Sequence, residues 1–118
     1  MKFITNKDNL LSAVSLTSHL ATTRATLPIL QNIYLEAKNS SLLVKSTDLD
    51  QTIEVVVEGK VEEEGSLTIP ARLITDYLVN NPDQSISLLS TNSSLKIKSS
   101  NNQATLKGLP SEEYPTQS

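Results

Sequence analysis

Residues 65–90, GSLTIPARLITDYLVNNPDQSISLLS, read as a strand, a helix and a second strand. SLTI alternates apolar and polar side chains, which is the period of a strand with one buried face. Pro70 stands at or just before the first helical turn, where its missing N–H costs nothing. ARLITDYLVNN then runs as a helix until Asn-Asn-Pro stops it. Leu73, Ile74, Tyr77 and Leu78 share one side of that helix and form its expected core face, while Arg72, Thr75, Asp76 and Val79 lie opposite. Beyond it, SISLLS, SLKIKS and QATLKG alternate as three strands joined by TNSS and SNN turns. The unit is strand, helix, strand, strand, strand.

The same order stands upstream. KFIT is a short strand, Asn6 takes the helix N-cap position, and Asp8 sits in the first turn, where negative charge favours the positive end of the helix dipole. The helix KDNLLSAVSLTSHLA follows, with Leu10, Ala13, Val14, Leu20 and Ala21 on one side, widened by Leu11 and Leu16. Asp8, Ser12, Ser15 and His19 make a nearly uncharged polar stripe on the other side. After ATTRATLP come the strands ILQNIYLEA, LLVKSTD and QTIEVVVEGKV, and VEEEG forms a solvated acidic hairpin tip. One helix over one sheet face buries that face poorly. Two copies packing together, at about residues 1–60 and 61–118, solve the problem. The expected fold is therefore α+β, one domain over residues 1–118, with two βαβββ repeats and two adjacent helices over continuous antiparallel sheet.

The 118 residues suffice for one domain with a core, and aromatic residues are only 3% of the chain, so that core is aliphatic. The chain has no Cys, which excludes disulfides, thiolate catalysis and zinc–thiolate sites. A reducing cytoplasm is the expected location. The N-terminus has no apolar signal region and no run approaches the length of a membrane span. The Asn39 and Asn92 sequons are accordingly read as accidental. With 13 acidic against 10 basic side chains, a formal net charge of -3 argues against tight, wrapped nucleic-acid binding and leaves weak or geometric contact open.

No Gly-rich phosphate loop, nucleophile elbow or paired acid and base stands at useful spacing, so an enzyme is the poorest reading, and no cofactor is implied. Asp48 and Asp50 in TDLD share a strand face, but one pair without a third ligand reads as a turn sooner than a metal site. Lys96 and Lys98 alternate with Leu95 and Ile97, giving a strand with one wet face that protects an edge rather than a DNA patch.

Taken in order, MKF, the LL of the first helix, RATLPILQNIYLEA, TDLD, TIPARLITDYL and LPSEEYP resemble the N-terminal domain of the bacterial DNA polymerase III beta subunit, the sliding-clamp family. The pieces spread over essentially the whole length. The resemblance implies a doubled βαβββ domain, three of which make a subunit, with two subunits closing a homodimeric ring around double-stranded DNA. It implies a non-catalytic processivity factor that works with DNA polymerase III and the clamp loader. It carries Arg24 onto the family's DNA-contacting loop arginine and Arg72 onto a basic position opening the second helix, with His19 and Ser15 on the stripe facing DNA. It places the subunit interface on the last strand, at Gln103, Ala104, Thr105 and Leu106. Asn101, Asn102 and Gln103 stand where basic residues often flank that seam, and TTRATLP replaces the Gly and Pro common around the loop arginine. The family's polymerase-binding pocket lies in later domains, beyond this chain, and the isolated domain is expected to be mainly monomeric.

Blander readings stay open beside these. Arg24 also reads as a solvated loop side chain, Arg72 as the i,i+4 partner of Asp76, and His19 as a side chain beside the helix dipole. The rival function is a protein-interaction module that adds a strand at an exposed sheet edge and never meets DNA.

Overall fold

The chain's computed structural model describes residues 1–21 and 27–115. In order, the elements are β1 (Lys2–Asn6), α1 (Lys7–Thr17), a short 3₁₀ turn (Pro28–Gln31), β2 (Asn32–Lys38), β3 (Ser41–Thr47), β4 (Thr52–Glu58), β5 (Lys60–Glu63), β6 (Gly65–Pro70), α2 (Ala71–Asn80), β7 (Ser85–Thr91), β8 (Ser94–Lys98) and β9 (Gln103–Lys107). The α+β assignment and both βαβββ units stand. The expected continuous sheet is instead two antiparallel sheets, one in the order β5-β1-β7-β8-β9 and the other β4-β3-β2-β6.

The two halves exchange their first strands. β1 leaves its own half to pair with β7, from Lys2 opposite Leu89 to Asn6 opposite Ser85, and β6 pairs in return with β2, from Asn32 opposite Pro70 to Ala37 opposite Gly65. Each sheet is thus completed by the other half, and neither half encloses a core alone. The correspondence reaches the turns: NSSLLVKS (39–46) and NSSLKIKS (92–99) both open on a two-residue hairpin with positive φ, at Asn39 and Ser40 (52° and 68°) and at Asn92 and Ser93 (49° and 67°). Paired left-handed residues are the type I′ turn, whose twist matches that of the strands it joins.

The run 51–61, expected as one strand, breaks at Gly59 into β4 and β5, which lie in different sheets. The chain crosses here against β1, and a Cβ on Gly59 would come 2.4 Å from the Ile4 carbonyl oxygen and 2.5 Å from Phe3 Cζ. Only glycine allows so close an approach. The acidic run is likewise no hairpin tip, since β5 and β6 lie in different sheets and Glu64 occupies the crossing. Its carboxylates are engaged: Glu62 with Lys2 and Lys60, Glu63 with the N-terminal ammonium, and Glu64 with the Asn39 backbone N–H.

The inward faces of both sheets and the inward sides of both helices share one core, with Phe3, Leu10, Val14, Leu35, Leu42, Ile69, Ile74, Leu78, Leu88 and Ile97 fully buried. Each such side chain contributes about 1.5–3 kcal/mol through removal from water. On α1 the buried seam is Leu10, Ala13, Val14 and Thr17. Thr17 belongs there because its hydroxyl donates to the Ala13 carbonyl at 2.9 Å, and its own carbonyl accepts from Ser46 Oγ at 2.6 Å, fastening the helix end to β3. Leu16, expected in the core face, is 50% exposed; Leu73, expected in the core face of α2, is 43% exposed. Each helix touches its sheet along a narrower strip than its apolar residues suggest, and the strip on α2 is Ala71, Ile74 and Leu78.

TDLD is a turn. The Asp48 carboxylate accepts from the backbone N–H of Asp50 (2.9 Å) and Gln51 (2.7 Å), closing an Asx turn between β3 and β4.

Candidate nucleic-acid interface

The helices lie side by side and antiparallel, an arrangement fixed at one end by Lys7. Its backbone N–H donates to the Gln84 carbonyl (2.7 Å), and its Nζ donates to the Asn81 carbonyl (2.8 Å) just beyond the end of α2. A lysine at that position satisfies an orphan carbonyl and complements the negative end of the dipole. The start of α1 and the end of α2 are thereby joined, and the opposite ends meet as well. There, Ala21, Gln31, Pro70, Arg72 and Leu73 line a recess of about 190 Å³.

Arg72 occupies the first turn of α2 and is exposed. Among the described residues it forms no ion pair; the contact with Asp76 open to it on sequence grounds is not made. Its guanidinium is therefore available to an outside acceptor. Arg24 lies outside the described residues, but Ala21, shortly before it, borders the recess that Arg72 also lines. His19 is exposed in the turn beyond α1, which ends at Thr17, so it is not on the helix itself. Ser15 is half-buried on α1, and its carbonyl accepts from Ser18 Oγ at 2.8 Å. Asp8, Asn9 and Ser12 are exposed on α1, and Asp76, Val79 and Asn80 on α2. The helix surface thus has few charges, of mixed sign. Two residues of the recess are not among the expected site residues: Gln31 beside Arg72, and exposed Leu73, expected in the core face. Gln31 carries no local signal, because only the return of the chain toward α2 brings it there.

Among the described residues β9 is an edge strand that pairs on one side only, with β8, and its other row of backbone groups meets no strand there. Gln103 and Thr105 point outward, while Ala104 and Leu106 are half-buried and turn toward the core. Side chains fix the turn before it: Tyr77 donates its hydroxyl to Asn102 Oδ1, and Asp83 accepts from the Asn101 N–H (3.2 Å) and Asn101 Nδ2 (3.3 Å). The Ser99 hydroxyl, together with these donors, holds the Asp83 carboxyl below its ordinary range.

A doubled α+β unit with paired helices on one side, sheets on the other and free strand edges is the architecture of a DNA-clamp domain. The sequence matches the family described as DNA polymerase III beta subunit, N-terminal domain, over residues 1–118, and the chain belongs to that family. It is 31% identical to the beta sliding clamp of Vibrio cholerae over 98% of this chain and 32% of that protein, and 29% identical to the beta sliding clamp of Streptomyces coelicolor over 98% of this chain and 31% of that one. The fold superposes on the crystal structure of the DNA polymerase III subunit beta from Pseudomonas aeruginosa with a TM-score of 0.94 at 28% identity, covering 100% of this chain and 32% of that chain. Against the pol III beta of Caulobacter crescentus the TM-score is 0.93 at 29% identity, over 100% and 32%. The chain spans about a third of the length of these relatives. Among the described residues, no helix is long and apolar enough to cross a membrane.

Proposed function

We infer that this chain is one arc of a sliding clamp, a non-catalytic processivity factor of DNA polymerase III that works in the cytoplasm and whose helices face duplex DNA. The observation that carries the reading is the antiparallel helix pair, with Arg72, unpaired among the described residues, lining one recess with Ala21. Arg24 and Arg72 contact phosphate oxygens, and Ser15 and His19 supply further hydrogen-bond donors nearby. Such contacts position a protein on duplex without reading sequence. An acidic chain suffices because a closed ring retains DNA by topology. Each phosphate neutralised adds only about -0.9 to the salt slope, so two arginines per domain give the weak, shallow binding that permits sliding.

Family membership and the length ratio support a single domain, residues 1–118, within a three-domain subunit. The free edge of β9, at Gln103, Ala104, Thr105 and Leu106, then serves as the seam of a homodimeric ring, since an open row of N–H and C=O groups accepts a further strand. The isolated chain is mainly monomeric, because its partner surface belongs to another domain. Polymerase and clamp loader engage the full-length protein.

The test is Arg24→Ala with Arg72→Ala in the full-length protein. Duplex affinity, followed by fluorescence anisotropy, is expected to fall and the salt slope of the dimeric ring to shrink by about 4, two arginines in each of two subunits, with melting temperature nearly unchanged. Unaltered DNA affinity would overturn the reading, and a large loss of stability would make the two arginines structural.

A further inference from the structure

The outer face of the five-stranded sheet is opposite in sign to the chain as a whole. Lys2, Lys60, Lys96, Lys98 and Lys107, five of the eight lysines, alternate with inward Phe3, Val61, Leu95, Ile97 and Leu106 and point away from the core. The register sets them in rows. Lys2 stands opposite Leu89 and Leu89 opposite Lys96; Lys60 stands opposite Ile4, Ile4 opposite Ser87, and Ser87 opposite Lys98. Two lysine columns therefore flank a strip that carries half-buried Ile4 and Leu89, with about 10–14 Å between columns at the usual strand spacing.

A carboxylate already occupies one column: Glu62 lies 3.7 Å from Lys2 Nζ and 3.9 Å from Lys60 Nζ. Lys96, Lys98 and Lys107 make no ion pair among the described residues. Beside the strip opens a recess of about 280 Å³ lined by Ile4, Thr5, Asn6, Gln84 and Ser85. The outer face of the four-stranded sheet carries the opposite balance, with Glu36, Glu54 and Glu58 against Lys38 and Lys45.

We propose that this lysine face docks an acidic protein segment, whose carboxylates settle among Lys96, Lys98 and Lys107 while an apolar side chain enters the recess beside Ile4. Carboxylates at this face gain from a concentrated positive field that the rest of the chain lacks. Nucleic acid fits it less well, since the face has no aromatic platform for bases and no arginine fork for phosphate. The sheet separates this face from the helices, so the proposal stands independently of the clamp reading.

A short fluorescein-labelled peptide of Glu and Asp around one Leu is the probe, titrated with the chain and followed by anisotropy. Binding is expected to weaken at least about tenfold in Lys96→Glu/Lys98→Glu and between about 0.05 M and about 0.3 M salt. Lys38→Glu, a single charge reversal on another surface, should leave it within about twofold. Replacing the peptide's Leu by Ser should also weaken it. Lys98→Gln/Lys107→Gln makes the same test if the doubly acidic variant fails to fold by circular dichroism. Equal binding by face variants and Lys38→Glu would overturn the proposal. So would oligothymidylate binding the same lysines more tightly than the peptide does.

Discussion

Tyr114 lays its ring against Tyr34, with centroids 5.7 Å apart and planes tilted by 41°. The contact ends a strap in which residues 109–115 cross the outer face of the four-stranded sheet. Leu109 exchanges backbone hydrogen bonds with Thr68, Ser66 Oγ meets Ser111 Oγ at 2.8 Å, and Tyr114 is 3% exposed. Lys45 Nζ sits over the same Tyr34 ring, 4.7 Å from its centroid.

Burial pushes the Tyr114 phenol up to about 12, so the folded protein holds it neutral through a range where the unfolded chain ionises. The sign follows: the folded pKa exceeds the unfolded value near 10, so the contribution is complete below about pH 10 and is lost as pH rises toward about 12. Urea unfolding midpoints across that range should fall for the native chain and fall less steeply for Tyr114→Phe. Matching pH profiles would show that Tyr114 is not the group responsible.

Lys7 joins the two helix ends through its bond to the Asn81 carbonyl. Lys7→Met keeps the side chain's length and removes the donor. The expected cost is about 1 kcal/mol, seen as a melting temperature about 4 °C lower. A variant as stable as the native chain would show that water replaces the ammonium at no cost.

Ser40 and Ser93 hold the second left-handed position of the two matching hairpins. Glycine adopts that φ without steric penalty, so Ser93→Gly should stabilise the fold by about 0.5 kcal/mol, and Ser40→Gly similarly. Because the sites are far apart, the double variant should show the sum. Chemical denaturation measures it, and a loss of stability in either variant contradicts the turn assignment.

Gly108 lies where the strap leaves β9, and a Cβ there would come 2.0 Å from the Thr68 carbonyl oxygen and 2.7 Å from Ile69 Cδ1. Gly108→Ala must push the strap away from β6. A destabilisation of about 1–3 kcal/mol is expected, with Tyr114 fluorescence reporting release of the stack before global unfolding. Full retention of both signals would mean that the strap shifts freely.

The amino-acid sequence determined the elements and their doubling, because both depend on local chemistry. Asn6 caps α1 by accepting from the Asp8 N–H at 2.8 Å, Pro70 precedes α2, and the two NSS turns fold from their own residues. The resemblance located Arg72, and the sequence showed how few charges the helix stripe carries. None of these readings needs knowledge of a distant neighbour.

Tertiary structure alone decided which strands meet. Alternation says which side of a strand is buried, but β1 would bury Phe3 equally well beside β2 or beside β7; the exchange of β1 and β6 between halves is chosen by simultaneous closure of both sheets over one core. The same reason explains Leu16 and Leu73, which belong to apolar helix faces by periodicity and to the surface by the actual line of contact. It also explains the lysine face, whose members come from β1, β5, β8 and β9 and share a surface only because the register aligns them.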